Sequence, residues 1–471
     1  MKRGKLWSVA GSVAALLVAS LPAAGEDLLQ IYDQATINDP QIREAEANRR
    51  AQREARPQAW ANMLPGVTAN ASRNRQWSNG PGFQEFNFEG DPEPTIQDTG
   101  GDAITTTKSW SVQLRQNIFS LPNYIALASS NREVAQAEAD FLSQQQLLVQ
   151  RVAQQYFAVL QAKDTVRAQE AARDAIARQL EQADRRFEVG LIAITDVQEA
   201  RAERDNAAAA VIASKRALSS AEEQLRATIG EKPVTLNEPA QDMPLQSPVP
   251  ASEEDWVKAA MDQNATLISS RLAADIARDN VRSTAGSFLP TVDLVAGKNF
   301  TDSEGRRVQV ARTTRSASET DGKSLALQFS MSLNGLGYGN YSRTSQSQQL
   351  WIAAKERLER TSRSTERQAR DAYLGVISEI ARVQALRQAL ESSRTALAAT
   401  EAGYEVGTRT AVDVLTSRRL LIQAETNFSA AKYSYLNNLI SLRLAAGDLD
   451  RKMLEEINRF LTVTPPATPA Q

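Results

Sequence analysis

The sequence predicts a mixed α/β membrane protein built from two tandem structural repeats. Three observations carry this prediction: a turn motif that occurs twice, long helical segments with an apolar residue every seven positions, and segments in which apolar and polar residues alternate. The turn reads Phe-Glu-Val-Gly at 187–190 and Tyr-Glu-Val-Gly at 404–407, 217 positions apart. The register continues without a gap to Gly230 and Gly447, and a duplicated unit of that length sets the architecture.

A long helix precedes each turn. Upstream of Gly190 no glycine follows Gly101 and no proline follows Pro122, which leaves about 65 residues, or about 100 Å, of helix. A seven-residue apolar repeat with one four-residue stutter is typical of coiled coils rather than of helices in one globular core. Each Val-Gly supplies the left-handed residue that ends a helix, so we expect a helical hairpin tip there. The apolar seam comprises Leu127, Val134, Phe141, Leu148, Val152, Val159, Val166, Leu180 and Phe187, then Val376, Val383, Leu390, Leu397 and Tyr404.

Composition narrows the classes of function. The chain has 471 residues with 54 Lys+Arg and 56 Asp+Glu, so it lacks the basic excess typical of nucleic-acid binding. It contains no Cys and no His, which removes thiolate nucleophiles, the commonest general base and the usual zinc and copper ligands. An envelope enzyme would need a carboxylate or Ser-Lys constellation, and the sequence shows none. We therefore expect no catalysis, no metal, no cofactor and no nucleic-acid partner.

Residues 1–25 read as a secretory signal peptide. Lys2, Arg3 and Lys5 precede an apolar run, and cleavage is expected after Ala24 or Gly25. The run is shorter than the roughly 20 residues of a membrane-spanning helix. The mature chain is therefore expected to be exported, and any membrane crossing must use strands.

The rest of the chain divides into four segments: a first repeat at 26–230, a Pro-rich connector at 231–255, a second repeat at 256–447, and a C-terminal segment at 448–471 with a disordered tail. Each repeat opens with a helical stretch that ends at Leu64-Pro65 or Leu289-Pro290.

After each Leu-Pro the period changes to two, which predicts strands. We expect four of them, each of about 10 residues, the length of a tilted transmembrane strand. The polar segments 77–104 and 301–322 are expected to be long exposed hairpin loops. The four predicted strands are 66–75, 108–119, a run from Thr291 and a run of 325–333.

Four strands cannot close a barrel, and an open edge in lipid leaves backbone groups unpaired. Two copies of the chain would supply 8 strands and three copies would supply 12, both even numbers that bacterial barrels use. A barrel of 8 strands is filled by side chains, whereas 12 strands could enclose a water-filled passage.

At the tips the sequence resembles the TolC family of outer-membrane efflux and secretion channels. The resemblance is carried by Arg-Phe-Glu-Val-Gly-Leu-Ile-Ala-Ile-Thr-Asp-Val-Gln at 186–198, by 402–415, by Ala-Lys-Tyr-Ser-Tyr-Leu at 431–436 and by Gly447, and it covers essentially the whole mature chain. It implies a homotrimer in the cell outer membrane, with one shared 12-stranded barrel that continues into a periplasmic α-helical coiled-coil barrel closed at its inner end.

The resemblance implies an exit duct for small molecules, for type I secretion of proteins, or for both. The implied partners are outer-membrane lipid, a periplasmic adaptor protein, and an inner-membrane transporter of the ABC, RND or MFS class. An exported coiled-coil scaffold without a pore is the alternative, although it leaves the four predicted strands unexplained.

The resemblance also assigns roles to the tip residues. Tyr404 and Arg409 are expected to bond to Asp196 in the neighbouring coiled coil and, with Thr195, to hold the entrance closed. We call these four residues the closed-state lock. Six further residues are expected to meet the hairpins of an adaptor: Val189, Gly190, Leu191, Val406, Gly407 and Thr408.

Asp413 is open to two interpretations. It lies three residues after Thr410, the spacing of a capping box, and on that interpretation it only starts the outgoing helix. By resemblance it lines the entrance constriction as a ring of three carboxylates that favours cations. The family pattern expects a second aspartate one turn on, where this sequence has Thr416, so the predicted double acidic ring is single. Arg418 would weaken that ring further if it faced inward.

Overall fold

The computed structural model describes most of the chain and divides it into two compact units, each drawn from both repeats. One unit comprises Met1–Arg43, Gln144–Ala260 and Arg367–Gln471, and the other comprises Glu44–Ser143 and Met261–Glu366. The predicted signal peptide and the tail beyond residue 462 lie outside the described residues. Those are 26–86, 95–98, 101–233, 235–240, 243–308 and 312–462.

Helices and strands alternate in the predicted repeat pattern. The first half contains α1 (Leu28–Asn38), α2 (Pro40–Arg53), α3 (Ala55–Ala61), β1 (Gly66–Gly80), β2 (Phe83–Phe86), β3 (Thr95–Asp98), β4 (Gly101–Phe119), α4 (Leu121–Glu188), α5 (Ile194–Ile229) and β5 (Glu238–Pro239). The second half contains α6 (Glu253–Gln263), α7 (Ala265–Gly286), β6 (Thr291–Val308), β7 (Thr313–Ser330), α8 (Tyr338–Glu405), α9 (Ala411–Ala446), α10 (Arg451–Asn458) and β8 (Leu461–Thr462).

The repeat is reproduced residue for residue in the long helices. Helices α4 and α8 each have 68 residues, and α5 and α9 each have 36. Both outgoing helices end at a glycine in the left-handed conformation, Gly230 at φ 84° and Gly447 at φ 79°. The prediction of two tandem structural repeats is confirmed.

The predicted seam forms the core of the helical hairpins along most of its length. Val159, Val166, Val376 and Val383 are all buried, as the heptad pattern predicts. The prediction is wrong at Phe187, which is 41% exposed. Phe187 lies in the last turn of α4, beside the turn at Gly190, and its side chain is exposed there. Among the described residues, no helix is both long enough and apolar enough to cross a bilayer.

One antiparallel sheet contains all four predicted strands. Its order is β1-β4-β6-β7, so β1 and β7 are the two edges. The strands have 15, 19, 18 and 18 residues, well beyond the predicted 10.

The predicted loops are largely strand. Residues 301–308 pair with residues 313–320 in an unbroken ladder, and residues 76–80 pair with residues 101–105. The prediction failed because it ended each strand where the apolar alternation ended. The ladder is made by backbone groups, and Thr and Ser suit a strand that lies outside lipid.

The two faces of the sheet differ in chemistry. One, the apolar face, carries Val67, Trp110, Val112, Leu114, Leu294, Phe300, Leu325, Leu327 and Phe329. The opposite, polar face contains only Ser, Thr, Asn, Gln and Gly over five successive rows. The first of these rows is Thr68-Gln113-Gly297-Ser324 and the last is Gln76-Thr105-Gly305-Ser316.

Candidate entrance at the helical hairpin tips

The first tip is a tight glycine turn between α4 and α5. Gly190 has φ 77°, its N–H donates to the Phe187 carbonyl (2.9 Å), and the Leu191 N–H donates to the Arg186 carbonyl (2.9 Å). This pattern satisfies the last carbonyls of α4 and permits the reversal. Helix α5 then begins without a side-chain cap, because Ala193 occupies the N-cap position.

The second tip repeats the glycine turn and adds an arginine. Gly407 has φ 79°, and both the N–H and the hydroxyl of Thr408 donate to the Gly403 carbonyl (2.8 and 3.0 Å). Arg409 folds back across Gly403, and a Cβ added there would lie 2.8 Å from Arg409 Cγ. Gly403 therefore positions Arg409. Sequence reasoning passed over Gly403, although a glycine inside a helix signals a close approach.

Asp413 forms the capping box that its spacing predicts. The Thr410 N–H donates to Asp413 Oδ2 (2.9 Å), and the Asp413 N–H donates to Thr410 Oγ1 (3.2 Å). These bonds, the backbone bond foremost, together with the nearby charge of Arg409, hold the pKa of Asp413 below its ordinary value. The carboxylate thus starts α9, and a cap of this kind is compatible with a place in the constriction.

Tyr404 joins the two hairpins through a residue that sequence reasoning missed. The guanidinium of Arg186, from the first hairpin, lies 4.7 Å from the centroid of the Tyr404 ring. Within the described chain, no hydrogen bond or ion pair connects Tyr404 or Arg409 to Thr195 or Asp196. Of the four predicted lock residues, only Tyr404 therefore links the hairpins inside one chain. Arg186 comes directly before the repeated Phe-Glu-Val-Gly motif, and that adjacency is the signal that could have found it.

Buried contacts hold the second hairpin against the first. Leu415 of α9 packs with Ile176 and Ala207 of the first hairpin. Farther from the tips, Asp164 Oδ2 accepts hydrogen bonds from the hydroxyls of Ser429 (2.6 Å) and Tyr433 (3.0 Å). The tips are therefore placed relative to each other by packing and by hydrogen bonds.

Apolar side chains are exposed at both tips. Val189 is 70% exposed, Leu191 is 73% exposed and Val406 is 75% exposed. Gly190 and Gly407 have no heavy atom within 4 Å of an added Cβ, so open space surrounds both turns. An exposed apolar cluster of this kind is typical of a protein interaction site.

Thr416 and Arg418 lie one turn after Asp413. Thr416 is exposed, as a residue that lines a passage must be. Arg418 forms an ion pair with Glu401 across the second hairpin. Its charge is thus paired inside the hairpin. Among the described residues, no group of His, Cys, Asp or Glu could hold a metal ion.

Comparisons with known proteins match almost the whole chain. The profile of the family described as "Outer membrane efflux protein" matches residues 31–231 and 256–448. Outer membrane protein TolC of Escherichia coli (strain K12) is 32% identical over 443 residues, which cover 93% of this chain and 85% of that protein.

Two further proteins extend the similarity. Alkaline protease secretion protein AprF of Pseudomonas aeruginosa is 30% identical over 452 residues, covering 94% of this chain and 89% of AprF. The crystal structure of the Campylobacter jejuni CmeC outer membrane channel superposes with a TM-score of 0.69 at 16% identity, covering 93% of this chain and 90% of that one, and so supports the fold.

The sheet, the paired hairpins and these similarities define an outer-membrane exit duct for efflux. The chain belongs to the outer membrane efflux protein family. The predicted resemblance, fold class and outer-membrane location are confirmed, and membership of a channel family decides against the scaffold without a pore.

Proposed function

We propose that the chain works as a homotrimer whose three sheets close one 12-stranded barrel in the outer membrane. The observation that carries this proposal is the four-stranded sheet with two unpaired edges, β1 and β7. In lipid, unpaired backbone groups cost several kcal/mol each, so the edges must pair with other copies. Twelve strands leave a passage, and the five uncharged polar rows of the sheet suit its wall.

The tips form the gate of this duct. In the closed state, Tyr404 and Arg409 of one hairpin engage Thr195 and Asp196 of a neighbouring coiled coil across the interface between copies. An Arg–carboxylate bond is charge-assisted and directional, worth about 1.5–3 kcal/mol. The absence of these bonds inside one described chain leaves both partners available to another copy. Asp413 and Thr416 line the constriction behind the lock.

A periplasmic adaptor docks on the exposed tips and recruits an inner-membrane transporter of the ABC, RND or MFS class. Val189, Leu191 and Val406 supply an apolar contact surface beside the open turns at Gly190 and Gly407. The lock residues lie within a few positions of the two glycine turns along the chain. An adaptor that docks on the turns therefore displaces the lock residues as well and releases the lock.

Planar-bilayer conductance of the purified protein tests the gate, with trimer state measured on the same sample. Tyr404→Phe combined with Arg409→Ser is expected to raise single-channel conductance, because it removes both donors of the lock. Arg419→Ser is the matched control, since Arg419 is an exposed arginine of the same hairpin. Conductance that stays at the wild-type level in the double variant would remove the lock from the proposal.

Adaptor docking is tested separately by crosslinking. The chain contains no cysteine, so Val189→Cys and Val406→Cys each introduce a single thiol at a tip. Both are expected to crosslink to the adaptor. Ile212→Cys, an exposed apolar position within α5, is the control. Equal crosslinking at all three positions would argue against a tip-specific contact.

A further inference from the structure

A row of four charged residues crosses the apolar face of the sheet. Arg73 of β1 is paired with Lys108 of β4, Lys108 with Asp302 of β6, and Asp302 with Glu319 of β7. The row therefore reads plus, plus, minus, minus from one edge to the other. Like charges directly opposite each other in a sheet are destabilising, and this row contains two such pairs.

Within one chain only the two central residues of this row, Lys108 and Asp302, form an ion pair with each other. Lys108 Nζ lies 3.0 Å from Asp302 Oδ2. Arg73 and Glu319 are both exposed, and neither makes a hydrogen bond or an ion pair with any described residue. An unpaired cation thus lies on one edge strand and an unpaired anion lies on the other.

The next charged positions on the two edges repeat these signs. Arg75 is the following residue of β1 on the apolar face, and its guanidinium lies 5.4 Å from the Trp77 ring. Asp321 is the neighbour of Glu319 on this face of β7, level with Ala71 of β1, and it forms an ion pair with Lys298 (3.6 Å). Lys323 follows Asp321 on the same face. Each edge therefore presents two like charges at successive positions of the same face.

In the trimer proposed above, β7 of one copy meets β1 of the next, and we propose that the charges on these two edges set the register of that contact, with Glu319 and Asp321 set against Arg73 and Arg75. The proposal rests on the trimer proposed above and names the contact that closes it. Each strand of the sheet is antiparallel to its neighbour, so β1 and β7 run in opposite directions and an edge-to-edge contact between copies continues the pattern.

The neighbouring rows suit the same contact. With a stagger of two residues, Val67 and Ala69 of β1 lie opposite Leu327 and Leu325 of β7, and Ala71 lies opposite Lys323. At this stagger Arg73 meets Asp321 and Arg75 meets Glu319. Without a stagger Arg73 meets Glu319, and with a stagger of four residues Arg75 meets Asp321 while Arg73 lies opposite Lys323. A barrel needs such a stagger.

The position of the row on the face lets these charges pair. The row lies one step beyond the stacked rings of Trp110 and Phe300, whose centroids are 6.1 Å apart. Aromatic pairs at that place mark the boundary of the hydrocarbon layer. Arg73 and Glu319 lie just outside this boundary and Asp321 lies level with the two rings, so these charges are partly shielded from water, which favours contact between opposite charges.

Charge reversal with rescue tests the proposal. One variant carries Arg73→Glu and Arg75→Glu, a second carries Glu319→Arg and Asp321→Arg, and a third combines all four changes. Each double variant is expected to lower the temperature at which the trimer dissociates in detergent, and the combination is expected to restore it. Glu304→Arg, on the same face of an inner strand, is the control. Equal dissociation temperatures in all variants would overturn the proposed contact.

Cysteine pairs test the contact without adding charge. They therefore still test it if a charge-reversed variant fails to fold. Arg73→Cys with Glu319→Cys, Arg75→Cys with Glu319→Cys, and Arg75→Cys with Asp321→Cys report a stagger of none, two and four residues. One pair is expected to give covalent trimers on oxidation. Arg73→Cys with Phe329→Cys, at different heights on the same edges, should not.

The outcomes separate the two proposals. A wild-type protein that is monomeric in native mass would overturn the trimer itself. An intact trimer that crosslinks at none of the three pairs would leave the trimer in place and overturn the charged register of its edge contact.

Discussion

Removing the guanidinium of Arg186 should open the entrance although no predicted lock residue is substituted. Arg186→Ala deletes the contact with the Tyr404 ring, which is the cation–π contact between the two hairpins at their tips. A cation–π contact at an exposed site contributes about 0.5–1 kcal/mol. If three copies release together, the closed state loses about 1.5–3 kcal/mol, which is roughly a 10- to 150-fold change in the ratio of closed to open channels.

The assay is the open probability of single channels in planar bilayers. Arg185→Ala is the matched control, because Arg185 is the preceding residue of the same helix and pairs only with Glu181 on its own helix. Arg186→Ala should raise the open probability and Arg185→Ala should leave it unchanged. Equal effects of the two substitutions would refute the reasoning.

A double-mutant cycle isolates the contact from other effects of the arginine. Tyr404→Leu removes the ring and should open the channel in the same direction. In that background Arg186→Ala should add little, because the contact is already lost. Tyr404→Phe keeps the ring and should keep most of the Arg186 contribution, which separates this contact from the hydroxyl bond of the lock. Full additivity of Arg186→Ala and Tyr404→Leu would show that the two residues act independently.

Three further predictions concern the tips. Thr416→Asp should increase cation selectivity, because it adds three carboxylates near Asp413 in a trimer; reversal potentials that do not move would show that Thr416 faces away from the passage. Gly190→Ala should speed hydrogen exchange of residues 187–193 about 5- to 30-fold, since a side chain at φ 77° costs about 1–2 kcal/mol; Val189→Ala is the control, and equal exchange in both variants would contradict the strain argument. Because the pKa of Asp413 is lowered in the folded chain, the stability that its cap contributes is fully present above the ordinary aspartate pKa of about 3.9 and is lost as pH falls through the folded pKa. Hydrogen-exchange protection of residues 406–415 should therefore be higher in the wild type than in Asp413→Asn at neutral pH, and the two should converge in acid. A constant difference across pH would contradict the assignment of Asp413 as the cap.

The helical part of the fold was predictable because its signals are local and repeated. Gly190 and Gly407 mark both tips, and a seam of one residue in seven predicts long paired helices. The prediction failed at Phe187, since a heptad pattern does not show where the seam becomes exposed beside a turn. The strands were found but were too short, because apolar alternation marks only the part of a strand that faces lipid. Ser303 and Thr320 belong to the same ladder as Leu294 and Leu327.

The candidate entrance was predictable where an interaction joins residues that are close in the sequence. The capping box of Thr410 and Asp413 follows from spacing alone, and the structure contains both of its bonds. The contact between Arg186 and Tyr404 joins residues 218 positions apart, and no local pattern predicts which arginine near a tip will reach across. The pairing of Arg418 with Glu401 was missed for the same reason. The lock itself stays a prediction, because it joins one copy of the chain to another.

The equal lengths of the two hairpins constrain how this protein can change over evolutionary time. Both incoming helices have 68 residues and both outgoing helices have 36, and at their ends Arg186 meets Tyr404. An insertion of one heptad in each arm of a single hairpin would move its tip by about 10 Å along the helix axis. That contact would then be lost. The same insertion made in both hairpins would keep every tip residue opposite its present neighbour. The lengths of the two hairpins are therefore expected to change together in evolution. Members of this family should gain or lose helical turns in both repeats or in neither.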